Sequence, residues 1–218
     1  MIVKPAYSSF KMSEPSIPSM PEKSTQPTAS SRWWPNLAQM GMIGWIASLV
    51  MFFAALILAF GITLYGVEIE EPIVIPTALW ISTAILLASG ITMIAGRYHL
   101  RRARVEIYRK YLYATTTLGL AFVVSQILGA WNLFQQGIYT QANPRGSSFY
   151  AFTGIHGLHL IGGIGALIYL LRGIRGLTAD EEQPLRKARL RAQISAWYWN
   201  FVVVSWLVLF GFLISWAQ

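Results

Sequence analysis

The chain has no cysteine in its 218 residues. That excludes disulfides, iron–sulfur clusters and any thiolate-bound copper centre within it. Charge is scarce too: Asp, Glu, Lys and Arg make up 12% of the residues, against about 25% in a soluble domain. Five long stretches lack all four of these residue types: 39–66, 73–96, 111–134, 149–171 and 194–216. A pump or proton-coupled transporter needs an intramembrane carboxylate, because a charge in hydrocarbon is kept only for use. None of the five stretches holds one, which argues against both classes. No internal repeat of the kind found in many secondary transporters is visible.

Apolar residues are abundant, at 55% of the chain, with a mean hydropathy of +0.48. Each charge-free stretch reaches the roughly 20 residues that a helix needs to cross about 30 Å of hydrocarbon. None alternates in polarity as a barrel strand would. The sequence therefore predicts an all-α integral membrane protein, a five-transmembrane-helix bundle. Helices are expected over about 39–66, 73–96, 111–134, 149–171 and 194–216.

Sixteen of the 17 basic residues fall in three segments. Lys4, Lys11, Lys23 and Arg32 lie in the N-terminal segment. Arg97, Arg101, Arg102, Arg104, Arg109 and Lys110 lie in the second loop. Arg172, Arg175, Arg186, Lys187, Arg189 and Arg191 lie in the fourth. The first loop carries only Glu68, Glu70 and Glu71, and the third only Arg145. Retained basic loops mark the cytoplasmic side. The N-terminus is thus expected in the cytoplasm and the C-terminus outside. The net charge of +8 follows from topology and anionic lipid, and no nucleic-acid partner is needed.

Residues 1–37 read as a disordered Pro/Ser/Thr-rich cytoplasmic tail, and 38–218 as the membrane domain. Within residues 1–32 five prolines, Pro5, Pro15, Pro18, Pro21 and Pro27, interrupt a segment too poor in apolar residues to fold alone. No apolar stretch of a cleavable signal precedes Gln39, so the first helix is expected to remain. Trp33, Trp34, Trp131, Trp197, Tyr198 and Trp199 are expected at the headgroup level. Trp45, Trp80 and Trp206 are expected to pack deeper, against other helices.

Few side chains in the apolar stretches carry chemistry. His156 and His159 lie three apart and are expected to lean to one helix face. Two histidines without a nearby carboxylate or thiolate make a poor metal site. Neighbours on one face also cannot ligate a haem from both sides. They are better read as neutral rings at helix, subunit or lipid contacts. Gln126, Ser125, Thr115, Thr116, Thr117, Ser82, Ser89 and Thr92 are expected to bond across helices or to the main chain. The fourth stretch is rich in glycine (Gly154, Gly157, Gly162, Gly163, Gly165), and small residues let helices approach closely.

Thr153-Gly154-Ile155-His156-Gly157-Leu158-His159 resembles the Thr-Gly-x-His-Gly-x-His signature of subunit III of the haem–copper oxidases. Ala196-Trp-Tyr-Trp-Asn-Phe resembles that family's last helix, Gly41 to Phe53 its Met-Phe-Phe helix, and Ile85 to Gly90 its Leu-x-x-Ser-Gly helix. Gln126 to Trp131, followed by Gly137-Ile-Tyr, is similar to a bacterial form of the next helix. The matches come in family order over roughly 38–217.

The resemblance implies a non-catalytic subunit of a terminal oxidase that reduces oxygen to water with electrons from cytochrome c or quinol. It implies no cofactor in this chain, haem and copper in partner subunits, bound phospholipid, packing on catalytic subunit I, and the cytoplasmic membrane of a bacterium. His156, His159, Gly157, Gly165, Gln126 and Arg172 are the candidate lipid or subunit contacts; no catalytic or metal-binding residue is expected. The full-length family has seven helices, of which the first two wall a lipid-holding cleft; this chain resembles the short five-helix forms. A buried Glu of the family aligns with Leu49, and the His and Asp of its last helix align with Asn200 and Val203. The alternatives are the accessory subunit of a nitric oxide reductase, a small membrane transporter and a membrane cytochrome.

Overall fold

The computed structural model describes residues 37–64, 77–135, 144–178 and 182–217. Glu68, Glu70, Glu71, Trp33, Trp34 and all of the N-terminal tail up to residue 36 lie outside those residues. Five helices account for nearly all of them: α1 (Leu37–Leu64), α2 (Thr77–Arg101), α3 (Val105–Gln135), α4 (Pro144–Gly173) and α5 (Glu182–Ala217). All five are long and apolar enough to cross a membrane. Inside a bilayer only a helix or a closed barrel satisfies every backbone N–H and C=O, so long apolar sequence becomes helix.

Helices α2, α3, α4 and α5 form a ring, in which α2 packs on α3, α3 on α4, α4 on α5 and α5 back on α2. Helix α1 lies outside the ring, against α5 and α4. Only 11% of its most apolar window is buried, against 39% for each of the other four. It is held by aromatic contacts. Phe53 faces the His159 ring at 5.4 Å and Phe201 at 6.3 Å, and Phe60 meets Phe152 edge-on at 5.0 Å.

Two helices run well past their charge-free stretches. Helix α3 begins at Val105 rather than near 111, and α5 begins at Glu182 rather than near 194. The added turns of α5 are rich in Arg, Lys, Leu and Ala, and those of α3 hold Glu106, Arg109 and Lys110, all strong helix formers in water. Hydropathy marks what the lipid covers, and the helix continues beyond it. The second loop therefore shrinks to Arg102–Arg104, where Ala103 adopts a φ of 58°. Arg104 N–H returns to the His99 carbonyl at 3.0 Å. Arg189, on the added turns of α5, donates from Nε to the Leu100 carbonyl at 3.3 Å. A cation at a helix C-terminus meets the negative end of the dipole, and this one brings the second and fourth basic segments to the same end of the bundle.

Three tryptophans depart from expectation. Trp45 and Trp80 are more than half exposed, so both face outward, although Trp80 keeps an edge contact with Phe210 at 5.0 Å. Trp199 is 1% exposed, because its indole is packed against Gly119 of α3 and Gly163 of α4 inside the ring.

Candidate functional site

The ring is held by hydroxyls on α2. Each sends its own proton back to its helix and keeps a lone pair for a neighbour. Ser82 donates to the Leu79 carbonyl at 2.9 Å and accepts from Gln126 Nε2 at 2.8 Å. Thr83 also donates to Leu79, at 2.8 Å, and accepts from Trp206 Nε1 at 3.0 Å. Ser89 donates to Leu86 and accepts from Trp199 Nε1 at 3.2 Å. Thr92 meets Thr115 of α3 at 2.9 Å. The indole N–H groups of Trp199 and Trp206 and the Gln126 amide nitrogen each find an acceptor here, as the cost of an orphan donor in hydrocarbon demands.

His156 and His159 diverge. His156 is fully buried, with Phe122 of α3 edge-on at 6.2 Å and Trp206 of α5 tilted at 5.1 Å. Its Nδ1 lies 3.5 Å from Ser205 Oγ. Ser205 Oγ also donates to the Val202 carbonyl at 2.9 Å. His159 is half-buried toward α1, with Nδ1 on the Ile155 carbonyl at 2.8 Å. Tyr198 donates to the His159 carbonyl at 2.9 Å. The expected common face is thus split, because a step of three residues still turns a helix by about 60°. That is enough here to point the two rings at different helices.

Gln126 and His156 face one cleft between α3 and α4, of about 270 Å³. Thr153 and Gly157 line it as well. Gln126 Oε1, Thr153 Oγ1 and His156 Nε2 are all buried without a hydrogen-bond partner. Three unpartnered polar atoms on one cleft were not legible in the sequence, which marked Gln126 and His156 but not Thr153. Gly157 has no atom within 4 Å of where a Cβ would stand, and neither has Gly165. Close helix approach within the chain occurs elsewhere. A Cβ on Gly119 would lie 2.7 Å from Trp199 Cη2, one on Gly163 3.1 Å from the same indole, and one on Gly96 2.9 Å from Tyr111 Cβ. Arg172, in the last turn of α4, is exposed.

Among the described residues no three of His, Cys, Asp and Glu come together as a metal site. Leu49 and Val203 are buried apolar residues, and Asn200 donates to its own helix at the Ala196 carbonyl. The class of protein is a polytopic helical membrane subunit built for packing.

A family model described as cytochrome c oxidase subunit III matches residues 35–218. A probable cytochrome c oxidase subunit 3 of Nocardia farcinica is 32% identical over 181 residues, covering 81% of this chain and 87% of that protein. The cytochrome c oxidase subunit 3 of Corynebacterium diphtheriae is 31% identical over 81% of this chain and 86% of its own. That of Locusta migratoria is 33% identical over 82% of this chain and 68% of its own. The chain belongs to the cytochrome c oxidase subunit III family. It is a multi-pass membrane subunit of a haem–copper oxidase complex, and the reductase, transporter and cytochrome readings are not favoured.

Proposed function

We propose that this subunit packs on the catalytic subunit I of the oxidase, in the cytoplasmic membrane of a bacterium, and stabilises it without taking part in electron transfer. Haem and copper reside in the partner subunits, where oxygen is reduced. The observation that carries the reading is the α3–α4 cleft. Gln126 Oε1, Thr153 Oγ1 and His156 Nε2 are buried there without partners, and Gly154 and Gly157 leave open space beside them. Counting along α3 and α4, Gln126 and His156 lie roughly 9 Å inside the membrane. An unpaired polar atom at that depth costs about 1–3 kcal/mol. A partner helix bearing a hydroxyl, indole or amide donor would relieve that cost, and the open glycines would let it come close.

The test is a photo-crosslinking amino acid at Leu158, which lines the cleft and is 70% exposed, with the complex left in its native membrane. The expected product joins this chain to the catalytic subunit. Crosslinks to lipid alone would contradict the proposed face. His156→Ala with His159→Ala is expected to lower the yield of assembled complex while its haem absorption per complex stays unchanged. A lost absorption band would show that the pair serves a cofactor.

A further inference from the structure

The three unpartnered atoms of the α3–α4 cleft define what kind of group can meet them. Two of them belong to planar groups whose other end is already held. The Gln126 carboxamide turns Nε2 to Ser82 of α2, at 2.8 Å, so Oε1, on the same carbon, points away from α2. The His156 ring turns Nδ1 to Ser205 of α5, so Nε2, across the ring, points away from α5. The side of α3 and α4 away from both of those helices is the cleft, which Gln126, Thr153 and His156 line. The third atom is Thr153 Oγ1. Thr83, Thr115 and Thr116 each donate to the carbonyl four residues back, the usual habit of threonine in a helix. Thr153 does not, and its buried hydroxyl has no partner.

Acyl chains satisfy none of these atoms. A cation is too costly at that depth without a carboxylate, and neither 111–134 nor 149–171 holds one. An indole gives one N–H and accepts nothing, so the Thr153 proton stays unmet. A hydroxyl has a single proton to give, while Gln126 Oε1 only accepts and His156 Nε2 accepts in one of its tautomers. A carboxamide offers two N–H groups and a carbonyl. One N–H meets Gln126 Oε1, and the carbonyl accepts from Thr153. The second N–H, or the carbonyl's second lone pair, meets His156 Nε2 whichever ring nitrogen carries the proton.

We infer, on the packing face proposed above, that the cleft receives the carboxamide of an asparagine or glutamine from a helix of the catalytic subunit, with Thr153 as a residue that selects it. Gly154 and Gly157, which have open space where a Cβ would stand, leave room for that helix. The Thr153 hydroxyl therefore weakens the isolated chain and strengthens the complex. One substitution should act with opposite signs in the two states.

The experiment compares Thr153→Val, which keeps the shape and drops the hydroxyl, with Thr153→Ser, which keeps the hydroxyl. In the isolated full-length chain in mild detergent, Thr153→Val should raise the melting temperature by about 2 °C. In the solubilised complex it should weaken retention of this subunit about threefold, the weight of an average interhelical hydrogen bond. Thr153→Ser should retain it as the unaltered chain does. Mapping the crosslink from position 158 should place an asparagine or glutamine within a turn of the crosslinked site on the catalytic subunit. Replacing that residue by Leu should cost no more retention in the Thr153→Val background than Thr153→Val alone. A crosslinked helix without asparagine or glutamine, or losses that multiply, would overturn the carboxamide and leave the packing face standing. Unchanged retention in Thr153→Val would also overturn it, showing a cleft filled by water. So would a lower melting temperature in the isolated chain, which would show plain packing. Crosslinks to lipid alone would remove both the face and its occupant.

Discussion

Trp199 of α5 lies between two glycines from different helices, Gly119 of α3 and Gly163 of α4, and hands its N–H to Ser89 of a third. Gly119→Ala puts a methyl 2.7 Å from a fully buried indole, which has nowhere to swing. Overpacking of this kind costs about 1–3 kcal/mol, so a clear drop in melting temperature in mild detergent is expected. Gly165→Ala should leave that temperature of the isolated chain unchanged, since a Cβ there meets open space. Trp199→Phe removes the bond to Ser89 as well as volume, and the hydrogen bond itself is worth about 0.6 kcal/mol. The sequence made the glycines and small hydroxyls of α2 and α4 legible as packing devices. Which glycine meets a neighbour depends on the rotation of each helix within the bundle. That rotation is set by the whole set of contacts, so the sequence named Gly163 only as one of five glycines in the fourth stretch and did not name Gly119.

The helices differ in how firmly they are held. Helix α1 rests on a few aromatic contacts, with Phe53 and Phe60 at the joint, and most of its surface faces outward. Phe53→Ala should cost about 3–5 kcal/mol at a fully packed site and less here, so α1 should loosen before the ring does. Hydrogen exchange in detergent should then quicken in Leu37–Leu64 while α2 to α5 stay protected; uniform quickening would show that α1 is integral to the ring. Helix number and order were legible because a charge-free stretch in lipid has one stable backbone solution. The true starts of α3 and α5 were not, because hydropathy stops at the water while helix propensity does not. That hidden length is what carries Arg189 to the Leu100 carbonyl.

For the molecule as a whole, charge asymmetry predicts the orientation, and the absence of cysteine gives a clean way to test it. Arg175→Cys lies at the basic end and Asn132→Cys at the other. In intact spheroplasts a membrane-impermeant maleimide should label the second and spare the first until lysis, with the reverse pattern placing the basic end outside. The family motif around His156 and His159 made membership legible, but not the cleft, whose unpartnered atoms come from two helices far apart in sequence. The central claim is that this chain is a packing subunit of an oxidase, and purification of the tagged chain from its native membranes in mild detergent tests it most directly. Recovery with the haem-bearing catalytic subunit in equal amount is the expected result. Recovery alone, colourless and without any oxidase subunit alongside, would contradict it.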